Sequence, residues 1–445
     1  MRKYILIFGS LFFSFGVYAQ ERVWSLRECV EFAIDNNVEI KQQELQVKSA
    51  EVSLSTSKNS RLPNLNAELG HTFSYGQVNN ALTNSYVTTN ASRTDFSIGS
   101  STPLFTGFKI PNQIKQDQFN LKAAMEGLQK AKENLELQIA SYYLEILFKK
   151  EILKVYQEQA TLTEKQVTRT SALVESGKVA ASQLYDIKAQ LASDQLNVTN
   201  AKNDLDNSLL SLAQALNLRS AAGFDIEEPD LSGVNISGND LLGLRTPDEV
   251  YQTAINIKPH VKEALYNVES SKASLKVAQS GYWPTLTFGL GYRTSTQRMY
   301  NYDNDPFKDQ LDNNGNKYIS FTLSIPIFNR FEVRNSVRKA RLDIQNQEYN
   351  LVNVKLNLYK EIQQAFQNAV AAEAKYVSTQ KAYEASSESF KYAEERYRIG
   401  KSTVFEYNEA QTKLISSRSE QIQAKYDFVF RSKILDFYQG KEINI

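Results

Sequence analysis

Apolar and polar residues change rhythm several times along this chain, and the series of rhythms occurs twice. Each series opens with a helical pattern behind a capping-box signature, Ser25 with Glu28 and Thr246 with Glu249. In such a box the hydroxyl accepts from the backbone three residues on, and the carboxylate reaches back. Pro247 stands at the first helical position, where its missing N–H costs nothing. These helices are expected to run to about Ser60 and Gly281, each stopped by the following proline. The rhythm then alternates. Leu65, Ala67, Leu69, His71, Phe73 and Tyr75 share one face of a strand, and Phe96 and Ile98 begin a weaker strand that reaches Leu104. In the later series Leu286, Phe288, Leu290 and Tyr292 alternate with Thr285, Thr287, Gly289 and Gly291. Ile319, Phe321, Leu323, Ile325 and Ile327 alternate with Ser320, Thr322 and Ser324. This patterning, apolar on one face and polar on the other, predicts strands at about 64–76, 94–105, 285–294 and 317–328. Each is about ten residues, the length a tilted strand needs to cross a bilayer. The connections, around Gln77 to Arg93 and Thr294 to Asn316, are polar and read as solvated loop tips.

A long helical stretch follows each strand pair, from about Ile110 to Glu175 and from Val333 to Arg398. Pro111 is its only proline and Gly127 its only glycine. At ~1.5 Å per residue each helix would be about 100 Å long. Leu121, Leu128, Leu135 and Tyr142 recur every seven residues, as do Ile344, Leu351, Leu358 and Ala365. After Gly177 and Gly400 a returning helix starts, with ladders Leu184, Leu191, Val198, Leu205, Leu212 and Tyr407, Leu414, Gln421, Phe428, Leu435. Seven-residue spacing in antiparallel pairs is a coiled-coil seam, so each long helix and its return form a hairpin with a glycine tip.

The landmarks keep one offset: 254 − 33 = 221 for Ala33 and Ala254, 284 − 63 = 221 for Pro63 and Pro284, 326 − 103 = 223 for Pro103 and Pro326, and 400 − 177 = 223 for the glycines. This is an internal duplication, with a period far longer than that of a solenoid. The chain divides into a signal peptide (1–19), a first repeat (20–217), a linker (218–245), a second repeat (246–440) and a short tail (441–445). The signal reading rests on Arg2 and Lys3, the apolar run Ile5 to Val17, and Val17-Tyr18-Ala19 before Gln20. Without Arg2 and Lys3 the chain holds 51 − 2 = 49 basic and 50 acidic residues, a charge of −1. A near-neutral chain lacks the basic surface that nucleic acid demands. Cys29 is the only cysteine, so there is no intrachain disulfide. His71 and His260 have no ligand cluster at metal spacing, and no Gly-rich phosphate loop occurs, so no catalysis and no cofactor are expected.

Four amphipathic strands pose a physical problem. In lipid no strand edge can stay open, because each unpaired backbone group costs several kcal/mol. Four strands cannot close a barrel, for which about eight is the minimum. Three copies would supply twelve. The duplicated helix–strand–strand–long helix–glycine turn–helix order resembles the TolC-type outer-membrane efflux protein family over nearly all of the chain after residue 19. The Leu62-Pro63-Asn64-Leu65 entry to the first strand, the Pro103-Leu104-Phe105 and Pro326-Ile327-Phe328 exits and the tip glycines carry the resemblance, with Pro63, Pro103, Pro284 and Pro326 as strand-boundary prolines.

The resemblance implies a mainly α protein with a transmembrane β-barrel part. It implies a homotrimer with a twelve-stranded barrel in outer-membrane lipid and an α-helical barrel in the periplasm. Its partners would be a periplasmic adaptor (membrane fusion) protein and a proton-driven (RND) or ATP-driven (ABC) inner-membrane pump, for multidrug efflux or type I secretion. Gly177, Lys178, Gly400 and Lys401 would dock the adaptor, within Ser176 to Ala181 and Ile399 to Val404. The family's acidic constriction positions, six and nine past the second tip glycine, hold Glu406 and Glu409. Rings of three carboxylates would favour cations. Of the family's closed-state contact, Tyr397 fills the tyrosine place, but Gln183 replaces the expected aspartate and Ser402 a basic residue. Asp186 and Arg398 are candidates for a substitute pair. Tyr282, Trp283, Phe105, Phe108, Phe328 and Phe331 suit an aromatic girdle at the membrane interface. The competing reading is a periplasmic coiled-coil scaffold with no channel, which has no use for four lipid-length strands.

Overall fold

The structure, a computed structural model, describes residues 22–80, 83–229, 246–441 and 443. The expected signal peptide, residues 230–245 of the linker and most of the tail lie outside the described residues. The chain is mainly helical and forms two compact units. One comprises the described parts of Met1–Lys41, Ala131–Ala254 and Leu358–Ile445; the other comprises Gln42–Lys130 and Ile255–Asn357.

The opening helix of each repeat is two helices, not one: α1 (Leu26–Asn36) with α2 (Val38–Asn59), and α5 (Pro247–Ile257) with α6 (Pro259–Gln279). The breaks fall at equivalent places, 258 − 37 = 221, where Asn37 and Lys258 are extended at ψ 130° and 128°. Pro259 forces the second break, because the residue before a proline avoids the helical region. At the first, the Asn37 side chain accepts from the Glu39 and Ile40 N–H groups at 2.8 and 3.3 Å, capping a new helix. The Ser25–Glu28 capping box is formed as the sequence predicts.

In the Gln42–Lys130/Ile255–Asn357 unit, β2 (Asn66–Asn80), β3 (Ser85–Thr106), β5 (Thr285–Met299) and β6 (Asn316–Ser324) form one antiparallel sheet in the order β2-β3-β5-β6. The β3–β5 pairing joins the two repeats, with Ile98 opposite Tyr292. The strands differ from the expected ten residues: they run 15, 22, 15 and 9. The β2–β3 ladder continues to Asn80 opposite Ser85, through the stretch expected to be loop. Tyr86, Val87, Thr88 and Thr89 have high strand propensity, and ladder bonds need no apolar side chain. β6 stops at Ser324, short of the expected 328, because its partner β5 begins opposite it at Thr285. A short helix, α7 (Phe307–Asn313), fills part of the expected β5–β6 loop. It is tied to β5 by Thr294 Oγ1 to Leu311 O at 2.7 Å and Gln297 N to Gln310 Oε1 at 2.6 Å.

The long helices α3 (Lys109–Glu175) and α8 (Glu332–Arg398) have 67 residues each, and their returns α4 (Ala181–Ala215) and α9 (Val404–Tyr438) have 35 each. The repeat is thus kept to the residue: 332 − 109 = 223 and 404 − 181 = 223. The seam is wider than the leucine ladder suggests. On α3 Tyr143, not Tyr142, is buried, with Leu135, Ile139 and Ile146. On α4 a second heptad column, Ile187, Asp194, Ala201 and Ser208, is buried beside Leu212. Near the first repeat's ends, β1 (Arg22–Trp24) pairs in parallel with β4 (Phe224–Ile226), the packed piece of the linker. Tyr143 Oη donates to Glu227 O at 2.8 Å and Lys150 Nζ to Ile226 O at 2.9 Å, fixing this ribbon to α3. Cys29 is buried, which together with Glu28 pushes its thiol up to about 12, so it stays protonated.

Candidate functional site: the amphipathic sheet and the hairpin tips

The period-2 pattern of the strands puts unlike chemistry on the two faces of the sheet. Leu69 faces Phe96 across the ladder, Ala67 faces Ile98, Leu290 faces Ile319, and Phe288 faces Phe321 with ring centroids 5.1 Å apart. The apolar side chains on this face are largely exposed: Leu69 70%, Phe73 58%, Ile319 74% and Phe321 68%. The opposite face carries a polar groove lined by Asn66, Glu68, Ser97, Thr287, Ser320 and Thr322. Gly291 belongs there for a steric reason: a Cβ would meet Tyr318 Oη at 2.7 Å and Ile98 O at 2.8 Å. Among the described residues, neither β2 nor β6 has a partner on its outer edge.

The prolines are not equivalent. Pro63, Pro284 and Pro326 lie outside the strands, but Pro103 lies inside β3, opposite Thr287. The register shifts between Pro103 and Phe105, so a bulge at Leu104 absorbs the missing donor. The turn into the long helix is the same in both repeats: Gly107 and Phe108 have φ 61° and 66°, Arg330 and Phe331 have 52° and 62°. Phe105 packs edge-on to Phe108 at 5.2 Å, Phe108 to Trp283 at 6.2 Å, and Phe328 to Phe331 at 5.6 Å. Tyr282, Trp283, Phe108, Phe328 and Phe331 remain exposed.

The hairpin tips lie in the other unit. Gly177 and Gly400 have φ +70° and +73°. Lys178 N donates to Leu173 O at 2.9 Å and Gly177 N to Val174 O at 2.9 Å. Lys401 N donates to Arg396 O at 2.8 Å and Gly400 N to Tyr397 O at 3.1 Å. Both are Schellman closures, which need a left-handed residue at the glycine. Lys178 and Lys401 are exposed. Glu406 is engaged locally: its carboxylate accepts from Ser402 Oγ at 2.5 Å and Thr403 N at 3.3 Å, while Thr403 Oγ1 accepts from Glu406 N. Those bonds, with Arg396 3.8 Å away, hold the Glu406 carboxyl below its ordinary value. Glu409 is exposed, one turn further on.

No hydrogen bond joins Tyr397 to Gln183. Tyr397 lies against Tyr407 with ring centroids at 4.9 Å, and the Tyr407 hydroxyl accepts from Gln166 at 3.0 Å. The pair suggested for Asp186 and Arg398 is not formed either. Arg398 bonds to Glu395 on its own helix, where the i,i+3 spacing brings them together, and Asp186 is exposed. One group escapes sequence reasoning. Asp194, 2% exposed, accepts from Thr163 Oγ1 at 2.6 Å, Gln190 Nε2 at 2.9 Å and Gln159 Nε2 at 3.4 Å. Its seven-residue spacing from Ile187 and Ala201 was the available signal.

The chain is 20% identical over 315 residues to the outer membrane protein TolC of Salmonella enteritidis, covering 69% of this chain and 61% of that protein, so the match spans about three fifths of the relative. It is 21% identical over 428 residues to the outer membrane protein TolC of Vibrio cholerae, covering 92% and 89%. Its fold resembles the crystal structure of the Campylobacter jejuni CmeC outer membrane channel with a TM-score of 0.73 at 17% identity, covering 93% of this chain and 85% of that one. The family description for outer membrane efflux proteins matches residues 30–218 and 250–440, one stretch per repeat. With an amphipathic four-stranded sheet and two glycine-tipped hairpins in that repeat, the chain belongs to the outer membrane efflux protein family.

Proposed function

We propose that three copies of this outer-membrane protein close one twelve-stranded barrel and form an export duct, fed through a periplasmic adaptor by an inner-membrane pump. The observation that carries this reading is the sheet: an exposed apolar face, a polar face, and two open edges. In lipid those edges must be sealed, and only strands of sister copies have the matching chemistry. A 15-residue strand rises about 50 Å, more than a tilted crossing of a ~30 Å core needs, so the ladder continues beyond the bilayer. The helices also call for neighbouring copies. Val38, Leu45 and Val52 on α2, and Leu342, Tyr349 and Leu356 on α8, are exposed at seven-residue spacing. These are coiled-coil seams with no partner helix among the described residues, and neighbouring subunits would fill them. A periplasmic scaffold would leave the apolar sheet face in water without gain.

Gly177, Lys178, Gly400 and Lys401 are assigned to adaptor docking. Glu406 and Glu409 are assigned to a constriction in which three copies set two acidic rings. The depressed Glu406 carboxyl keeps its negative charge at neutral pH, which suits that role. Mass measurement of the detergent-extracted outer-membrane protein is expected to give a trimer; a soluble monomer would end the duct reading. In single-channel recordings, Glu406→Gln with Glu409→Gln is expected to lower cation preference. Unchanged selectivity removes both residues from the constriction.

A further inference from the structure

At the foot of β5 lies an open groove of about 720 Å3, lined by Tyr282, Trp283, Arg334, Arg338 and Arg341 around Val337. The three arginines are at i, i+4 and i+7, on one face of α8. Among the described residues none of them pairs with a carboxylate, and no acidic residue lines the groove. Arg334 lies 5.6 Å from the Phe331 ring, and like charges stacked along a helix repel, which an anion against the cluster would relieve. Guanidinium forks match phosphate oxygens, and Tyr and Trp join an apolar body to a polar tip. The groove is also in a telling place. β5 begins at Thr285, and its apolar face at Leu286, three residues past Trp283. At ~3.3 Å per residue that distance is about 10 Å, comparable with the headgroup layer beside a ~30 Å core. The feature belongs to one repeat. Subtracting 223 from 334, 338 and 341 gives Pro111, Lys115 and Gln118, with one cation in place of three, and Lys115 lies 5.9 Å from the Phe119 ring.

We propose that this groove binds the headgroup of an anionic phospholipid, with Arg334, Arg338 and Arg341 on the phosphate and Tyr282 and Trp283 against the glycerol shoulder. The inference rests on the reading that the apolar face of β5 meets lipid. Native mass spectrometry of the detergent-purified full chain tests it, because one spectrum reports both subunit number and retained lipid. With phosphatidylglycerol added, one lipid per subunit is expected to remain bound, and phosphatidylcholine is expected to bind at least about tenfold more weakly. Combined R334Q, R338Q and R341Q should weaken phosphatidylglycerol binding on the order of 100-fold, at about fivefold per surface cation. Arg338→Lys keeps the charge but not the fork, and an intermediate loss is expected. Equal retention of both lipids, or unchanged binding by the triple variant, overturns the proposal. Displacement of the lipid by an equal concentration of inorganic phosphate makes the groove a general anion site and overturns it too. If the triple variant falls apart into monomers while Arg338→Lys binds lipid like the parent, the arginines serve a subunit contact instead. A parent trimer without headgroup preference sinks this inference alone; a parent monomer sinks the duct.

Discussion

At the second hairpin tip the returning helix starts behind Thr403, whose hydroxyl and Glu406 form a reciprocal capping box. At the first it starts behind Ala180, which offers no side chain to cap it. The positions are equivalent, 403 − 180 = 223, and so are Glu406 and Gln183, 406 − 183 = 223. Arg396, 3.8 Å from Glu406, has Leu173 as its counterpart, 396 − 173 = 223. The two Schellman closures, by contrast, are nearly superposable in their bonding. Duplication therefore kept the backbone solution at both tips and let side-chain chemistry diverge. Charge gathers at the second tip, which is where the acidic constriction is proposed.

The sharpest way to break this pairing of repeats lies in the seam behind the tips. Asp194 in the first repeat corresponds to Ser417 in the second, 417 − 194 = 223, and both are buried. Asp194→Ala leaves the buried Thr163 hydroxyl and the half-buried Gln190 amide without their acceptor, while Gln159 keeps its bond to Thr163 Oγ1 at 3.2 Å. The expected cost is about 2–3 kcal/mol, the scale for leaving buried donors unsatisfied. Ser417→Ala removes a bond to the Leu414 carbonyl on its own helix, and about 0.5 kcal/mol is expected. Thermal unfolding of the two variants measures the contrast; equal shifts would mean the Asp194 network adds nothing.

Next in size are the tip glycines. A Cβ at Gly177 or Gly400 meets nothing within 4 Å, so only backbone strain opposes substitution. Gly177→Val and Gly400→Val should each cost about 1–2 kcal/mol, and equally, because the φ values agree. Local hydrogen exchange at each tip reads this, and unequal losses would show that the tips differ in backbone as well as side chain. The cap gives a smaller effect. Thr403→Ala should loosen the second tip by about 1 kcal/mol, and Ala180→Ser should tighten the first by a similar amount. If Ala180→Ser changes no protection at residues 181–184, the first tip is held by something other than its cap.

Much of this architecture is legible in the residues because the signals are redundant. Ser25 with Glu28, and glycine at 177 and 400, announce helix ends twice over, once per repeat. What stays hidden is pairing. The Asn, Ser and Thr run before Ser97 reads as loop because its side chains are polar, yet its backbone completes the ladder from Asn80 opposite Ser85. The break at Asn37 hides because one side chain, not a proline, ends the helix and caps the next. Asp194 hides because a carboxylate in a seam looks solvated until Thr163 and Gln159, 31 and 35 residues away, converge on it. At the constriction, spacing finds Glu406, but it does not show that Ser402 and Thr403 hold its carboxylate.

That last contact gives the smallest effect and the most specific one. Hydrogen bonds from Ser402 and Thr403 are the main cause of the lowered Glu406 value, and Arg396 adds to it. A carboxyl with a depressed folded value contributes stability above its unfolded value and loses it as pH falls through the folded one. The second tip should therefore be better protected than the first at about pH 6, and the difference should shrink as pH falls from about 4.3 through the lower folded value. The first tip has Gln183 at the same position, so the carboxyl that closes the box has no titrating counterpart there. Hydrogen exchange of residues 181–184 and 404–407, compared pairwise at about pH 6 and about pH 3, isolates this term from the intrinsic pH dependence of exchange. Glu406→Gln should remove the part of the pH dependence owed to Glu406, leaving that of the Glu395–Arg398 pair, and keep the box itself, since glutamine caps as well. A difference between the tips that persists unchanged at about pH 3 would assign the extra order at the second tip to Thr403 alone, and the Arg396–Glu406 charge pair would then have no part in it.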